Sequence, residues 1–192
     1  MTELKLILAS ASPRRQELLK LITPNFEVIP ADIEEVSDQV EPQDILMDIA
    51  RQKAMTIVEA GHEGLILGVD TSVWLDDQLL GKPKDRDNAM QMLQWMSGRS
   101  HIVISGMFAI NTHTGASVFD SSQTKVFFKP LNEKQIERYL DQADYMDKAG
   151  AYAIQEQAAL FVTRLEGDFY NVMGLPVARV ADLLESLGYQ LD

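Results

Sequence analysis

Leu65 to Val69 reads L-I-L-G-V, an unbroken apolar run that suits a strand buried on both faces. Strands and helices alternate around it. Leu4 to Ala9 forms a first strand, Pro13 to Ile22 a helix and Asn25 to Pro30 a short strand. Pro42 to Glu59 is an amphipathic helix, with Ile45, Ile49, Ala50 and Ile57 among its apolar positions. After Asp70, S-V-W-L-D-D-Q-L-L-G resembles a strand, a tight Asp-Asp turn and a return. A helix over Arg86 to Met96 stops at Ser97-Gly98. Two strands, I-V-I-S-G-M-F-A-I and S-V-F-D-S-S-Q-T-K-V-F-F, then flank a turn at N-T-H-T-G. Asn132 caps a helix reaching about Gln142, and A-L-F-V-T-R-L is a further strand. Leu175 to Leu187 is a closing helix that Pro176 enters at its first turn. Early alternation with a long central hairpin predicts a mixed α/β fold, a sheet elaborated by an antiparallel lobe.

The chain of 192 residues has room for one sizeable domain, or a main domain with a smaller lobe, and shows no internal repeat or long linker. No run of 18 apolar residues occurs, and the first ten residues lack a secretory pattern, so a cytoplasmic protein without a membrane span is expected. With no cysteine, disulfides, thiolate metal sites and cysteine nucleophiles are excluded. A net charge of −12 argues against a nucleic-acid polymer as partner. A small polyanion remains open, provided that some of the 17 lysines and arginines converge on one cleft.

Where the cations fall is therefore informative. S-A-S-P-R-R, Ser10 to Arg15, joins the first strand to the first helix. Ser12 is a natural N-cap and Pro13 a natural first helical residue, yet Arg14 and Arg15 follow where the helix dipole favours acids. A phosphate group held by Ser10, the arginines and the free backbone N–H groups would reverse that sign. Pairing with Glu17 or exposure to solvent is the alternative. In G-V-D-T-S, Asp70 follows the buried run and is placed at a strand's C-terminal end. There it either binds a hard cation and activates water, or simply opens a turn. Gly81 and Pro83 restrict Lys82 in L-G-K-P-K, whereas Lys53 lies on a helix; plain solvation is the commoner state of a lysine in either setting. Glu34-Glu35 could supply one metal-facing carboxylate. His62, His101 and His113 have no ligand spacing, so a bound metal would be Mg²⁺ or Mn²⁺ held by oxygens. The phosphate motifs GxxxxGK[ST] and GxGxxG are absent.

Six segments in order, S-A-S-P-R-R, G-V-D-T, L-G-K-P, L-Q-W-M-S-G-R-S-H, D-K-A-G-A-Y-A-I-Q and G-D-F-Y-N-V-M-G-L-P, resemble the Maf family of nucleoside triphosphate pyrophosphatases. The resemblance runs from about Leu6 to Leu184. It implies a curved mixed sheet with flanking helices, similar to the inosine triphosphate pyrophosphatases, with residues 1–192 forming one domain of two lobes around a central cleft. It also implies hydrolysis of a nucleoside triphosphate to the monophosphate and pyrophosphate, dependent on Mg²⁺ or Mn²⁺, by a homodimer. Residue by residue, Asp70 would activate the water, and Lys53 and Lys82 would complete the catalytic set by binding the triphosphate. Ser10, Arg14, Arg15, Thr71 and Gln155 would bind substrate, and Glu35 and Asp70 would serve the metal. A nucleotide-binding regulator of septum formation with little turnover is the alternative of another class.

Arg14, Thr71 and Gln155 resemble the members acting on dTTP and UTP more than those acting on 7-methyl-GTP; a preference for 7-methyl-GTP or CTP is the alternative. A glutamine amide matches the adjacent carbonyl and N–H of uracil or thymine. The chain departs from the family's A-Y-G-I-Q-G in carrying Ala153 and Glu156, and Ala158 replaces a further glycine. Glycine at such places would permit positive φ or close approach of a ligand, so the departures bear on base preference.

Overall fold

A computed structural model describes residues 4–191 and has the mixed α/β architecture expected. Its seven-stranded sheet has the order β2-β1-β3-β5-β6-β7, with β4 on β3. The strands are β1 (Leu6–Leu8), β2 (Glu27–Val28), β3 (Leu65–Leu75), β4 (Gln78–Leu80), β5 (Ser100–Asn111), β6 (Ser117–Phe128) and β7 (Val162–Glu166). The helices are α1 (Pro13–Leu19), α2 (Pro42–Glu59), α3 (Arg86–Met96), α4 (Glu133–Gln142), α5 (Phe169–Met173) and α6 (Val177–Ser186). β1 runs parallel to both β2 and β3, whereas β3–β4 and β6–β7 are antiparallel.

The chain divides into two compact units. The first comprises Met1–Thr71, Ser105–Ser122 and Gly174–Asp192. Leu65, Ile66, Leu67 and Val69 are each 0% exposed, so the L-I-L-G-V run is buried on both faces as read. Its core joins Ile7, Ala9, Ile66 and Phe108 to Ala50, Ala54 and Ile57 of α2. Two glycines set how closely that helix lies. A Cβ on Gly68 would stand 2.0 Å from the Ala50 carbonyl oxygen, and one on Gly106 would stand 2.3 Å from the Leu46 carbonyl carbon. No side chain fits at either place, and α2 rests directly on the backbone of β3 and β5.

The second unit comprises Ser72–Ile104 and Gln123–Met173, around Val73, Leu93, Met96, Phe128, Ile136, Tyr152 and Phe161. Asn132 caps α4 through a reciprocal capping box with Gln135, as its sequence suggests. The β3–β4 turn places Asp76 and Asp77 at φ 48° and 61°, the left-handed pair that a two-residue hairpin of type I′ needs.

Several boundaries differ from expectation. β3 does not end before Asp70 but continues to Leu75, because Val73, Trp74 and Leu75 pair with β4. Asp70 thus lies within a strand, not at its C-terminal end. The first two strands shrink to Leu6–Leu8 and Glu27–Val28, and α1 stops at Leu19. A 3₁₀ turn over Gln157–Leu160 delays β7 to Val162, and α6 begins at Val177 with Pro176 in the N-cap position. α5, carrying the buried Asn171, was not foreseen.

Candidate active site

Period-two alternation along β3 sends Gly68 and Asp70 to the face covered by α2 and Thr71 to the other. Because Gly68 admits α2 so closely, Lys53 on that helix reaches Asp70. Its Nζ donates to Asp70 Oδ1 at 2.6 Å and lies 2.6 Å from Glu35 Oε1. The Asp70 side chain is 13% exposed and that of Glu35 54%, so one ammonium joins an inner carboxylate to an outer one. Of the adjacent pair Glu34-Glu35, it is Glu35 that meets Lys53.

On the opposite face, Arg15 is anchored by neutral oxygens. Its Nε donates to the Gly174 carbonyl at 3.0 Å, Nη1 to Ser10 Oγ at 3.1 Å and Nη2 to Thr71 Oγ1 at 3.1 Å. Burial pulls the guanidinium below its ordinary pKa, the charges of Asp70 and Glu35 pull it back up, and neighbouring Arg14 opposes its charge. Arginine stays protonated through such shifts. Ser10 is buried and also accepts the Ser12 N–H at 3.3 Å. Ser12 occupies the N-cap position in an extended conformation, but its hydroxyl makes no capping bond. With α1 only seven residues long, the case for an anion here rests on side chains rather than on a helix terminus.

Thr71, expected to touch substrate, has its hydroxyl engaged by protein. Besides Arg15, it meets Ser105 Oγ at 2.8 Å and the Gly174 carbonyl at 3.3 Å. Ser105 and Gly174 were missed by sequence reasoning, and only the G-L-P ending of the last motif pointed to the second. Lys82 and Gln155 lie in the second unit, both exposed. The residues brought together are therefore Ser10, Arg15 and Thr71 on one side of β3, and Glu35, Lys53 and Asp70 on the other. Arg14 is partly buried beside them.

The second unit holds a buried cation that sequence reasoning did not single out. Lys148 Nζ donates to the Asp144 carbonyl and to Asp147 at 3.0 Å, and Glu156 Oε1 lies 3.8 Å away. Glu156 thus meets a lysine where the family pattern has glycine, with φ −108°. Ala153, Glu156 and Ala158 all keep negative φ, so none of the three departures strains the backbone. Gly150 and Ala151, at φ 67° and 61°, are the residues of this segment in the left-handed region.

Among the described residues, no three or more His, Cys, Asp or Glu side chains gather as a metal site. Asp70 and Glu35 are nonetheless a suitable donor pair for Mg²⁺ or Mn²⁺. Such ions commonly take one or two carboxylates and complete their shell with water and phosphate oxygens. His101 serves packing instead. Its Nε2 lies 2.7 Å from the Tyr152 hydroxyl, its ring meets Phe128 edge-on, and burial pushes its pKa down to about 4.

Paired carboxylates bridged by a lysine, together with an arginine anchored by neutral oxygens, are groups suited to a phosphorylated small molecule. The family described as Maf-like protein matches residues 5–187. The chain belongs to that family and is a hydrolase. It is 43% identical over 183 residues to a dTTP/UTP pyrophosphatase of Thermoanaerobacter sp. (strain X514), covering 95% of this chain and 96% of that one. It is 44% identical to a dTTP/UTP pyrophosphatase of Caldanaerobacter subterraneus subsp. tengcongensis, covering 95% and 88%. The Staphylococcus aureus Ham1 protein shares the fold, with a TM-score of 0.56 at 14% identity over 95% of this chain and 98% of that one.

Proposed function

We propose that this protein hydrolyses nucleoside triphosphates between the α- and β-phosphates, releasing the monophosphate and pyrophosphate, with dTTP and UTP as its substrates. The observation that carries the reading is the Asp70–Lys53–Glu35 bridge, a carboxylate held in register by an ammonium on the sheet strand that also bears Thr71. The relatives' names support the base preference.

Phosphoanhydride hydrolysis asks a protein to neutralise charge and aim a water, with little covalent work. In this reading Asp70 accepts the proton of the attacking water, and Lys53 fixes the carboxylate's orientation. Arg15, Arg14 and Ser10 hold the triphosphate, Lys82 adds positive charge, and Gln155 reads the pyrimidine edge. Asp70 and Glu35 would hold a divalent cation. When bound, that ion supplies Lewis-acid stabilisation to phosphate oxygens. A cytoplasmic homodimer completes the reading. Among the described residues no helix is long and apolar enough to cross a membrane.

Incubation with dTTP, UTP, CTP and 7-methyl-GTP in Mn²⁺, with pyrophosphate and orthophosphate measured separately, tests this. Pyrophosphate from dTTP and UTP at least tenfold faster than from the other two is expected. Faster turnover of 7-methyl-GTP or CTP would overturn the preference, and nucleotide binding without turnover would favour a regulator.

A further inference from the structure

We infer that Ser105 is a positioning residue for the triphosphate-binding arginine: through the Thr71 hydroxyl it fixes which N–H groups of Arg15 face the anion. This rests on the hydrolase reading above and assigns a role to a residue outside the family's charged motifs.

Ser105 lies on β5 between Ile104 and Gly106 and is 0% exposed. Alternation explains the neighbouring glycine: Gly106 accepts the backbone of α2 on one face, while Ser105 points to the other. A buried hydroxyl is costly unless it is bonded. Its side-chain hydrogen bond goes to Thr71, at 2.8 Å.

A threonine oxygen has one proton to give and two lone pairs to receive. Arg15 Nη2–H occupies one lone pair. The single Thr71 proton goes either to the Gly174 carbonyl at 3.3 Å, with the Ser105 O–H then filling the second lone pair, or to Ser105 Oγ at 2.8 Å. Either way it is used inside the protein, so Thr71 has no donor for a substrate. Without Ser105 the Thr71 hydroxyl can turn away, and Arg15 loses one of its three anchors.

The same count shows what the anchoring leaves open. Of the five guanidinium N–H groups, three are spent on Gly174, Ser10 and Thr71. Among the described residues one N–H on each terminal nitrogen has no partner, and both are left for a phosphoryl group. Ser10 accepts twice, from Arg15 and the Ser12 N–H, so its own proton also remains for the anion.

The test measures dTTP turnover in Mn²⁺, and binding of inorganic triphosphate by calorimetry. The proteins are wild type, Ser105→Ala, Ser105→Thr, Thr71→Val and the Ser105→Ala/Thr71→Val double variant. Ser105→Ala is expected to raise both KM and the triphosphate Kd about fivefold to tenfold, with kcat within about twofold. Ser105→Thr, which keeps the hydroxyl, is expected to restore both constants. In the Thr71→Val background Ser105→Ala should add less than about twofold, because the route to Arg15 is already cut. The inference is overturned if KM and Kd stay unchanged, if kcat and Tm fall while KM does not move, or if the two substitutions combine in full. Wild-type protein that releases no pyrophosphate would refute the hydrolase reading, while the triphosphate Kd values would still judge Ser105.

Discussion

Asp70 and Glu35 share one cation, the Lys53 ammonium, which lies 2.6 Å from an oxygen of each. The arrangement orients the inner carboxylate beneath a partly exposed one. It also means that the three side chains have to be tested as a set.

Asp70→Asn keeps the shape of the inner group and removes its basicity. Turnover of dTTP should fall by about a thousandfold or more, within the range seen when a general base and its charge are lost together. The nucleotide Kd should change by less than about fivefold, since Arg15 is anchored independently of Asp70. Surviving turnover would place the base elsewhere.

Lys53→Met leaves two carboxylates without their common cation. The melting midpoint should drop by about 4 °C or more, as expected when one partner of a largely buried ion pair is removed. Added Mn²⁺ should raise the midpoint of the variant by more than it raises that of wild type, because the ammonium that competes with a metal ion for Asp70 and Glu35 is gone. Equal shifts in both proteins would count against Asp70 and Glu35 as the metal donors.

Gly68→Ala tests how the site is built. The added carbon would stand 2.0 Å from a backbone oxygen that cannot rotate away, so α2 must lift from β3. Destabilisation of at least about 3 kcal/mol is expected in denaturant unfolding, at the upper end for overpacking. Activity should fall as well, because Lys53 moves with the helix.

His101 predicts a pH dependence of stability. Its folded-state pKa is lowered by burial to about 4, against 6.5 in the unfolded chain. Between those values the unfolded state binds more protons, so stability falls as pH drops below 6.5 and levels off below 4. Unfolding at pH 7.5 and pH 5 should show wild type losing about 2 kcal/mol more than His101→Gln. The same loss in both proteins would assign the effect to other groups.

Local features were legible in the sequence. The Leu65–Val69 run, the Asp76-Asp77 turn and the Asn132 cap each follow from a few adjacent residues, and each stands where it was read. Asp70 was misplaced at a strand end because a charged residue closes the apolar run. The strand read after Asp70 is the same strand continued, its far half paired with β4. The charged residues of the site were candidates on local pattern, and motif resemblance assigned their roles. The glycines that admit α2, and the buried Ser105 behind Thr71, carried no local signal. Their roles exist only between segments distant in sequence, where a glycine or serine gives no hint of its partner.

Cleavage between the α- and β-phosphates can be read from the products of dTTP hydrolysis in Mn²⁺, followed by phosphorus NMR. dTMP and pyrophosphate should appear together in equal amounts, without orthophosphate. Formation of dTDP and orthophosphate would instead place the cut between the β- and γ-phosphates.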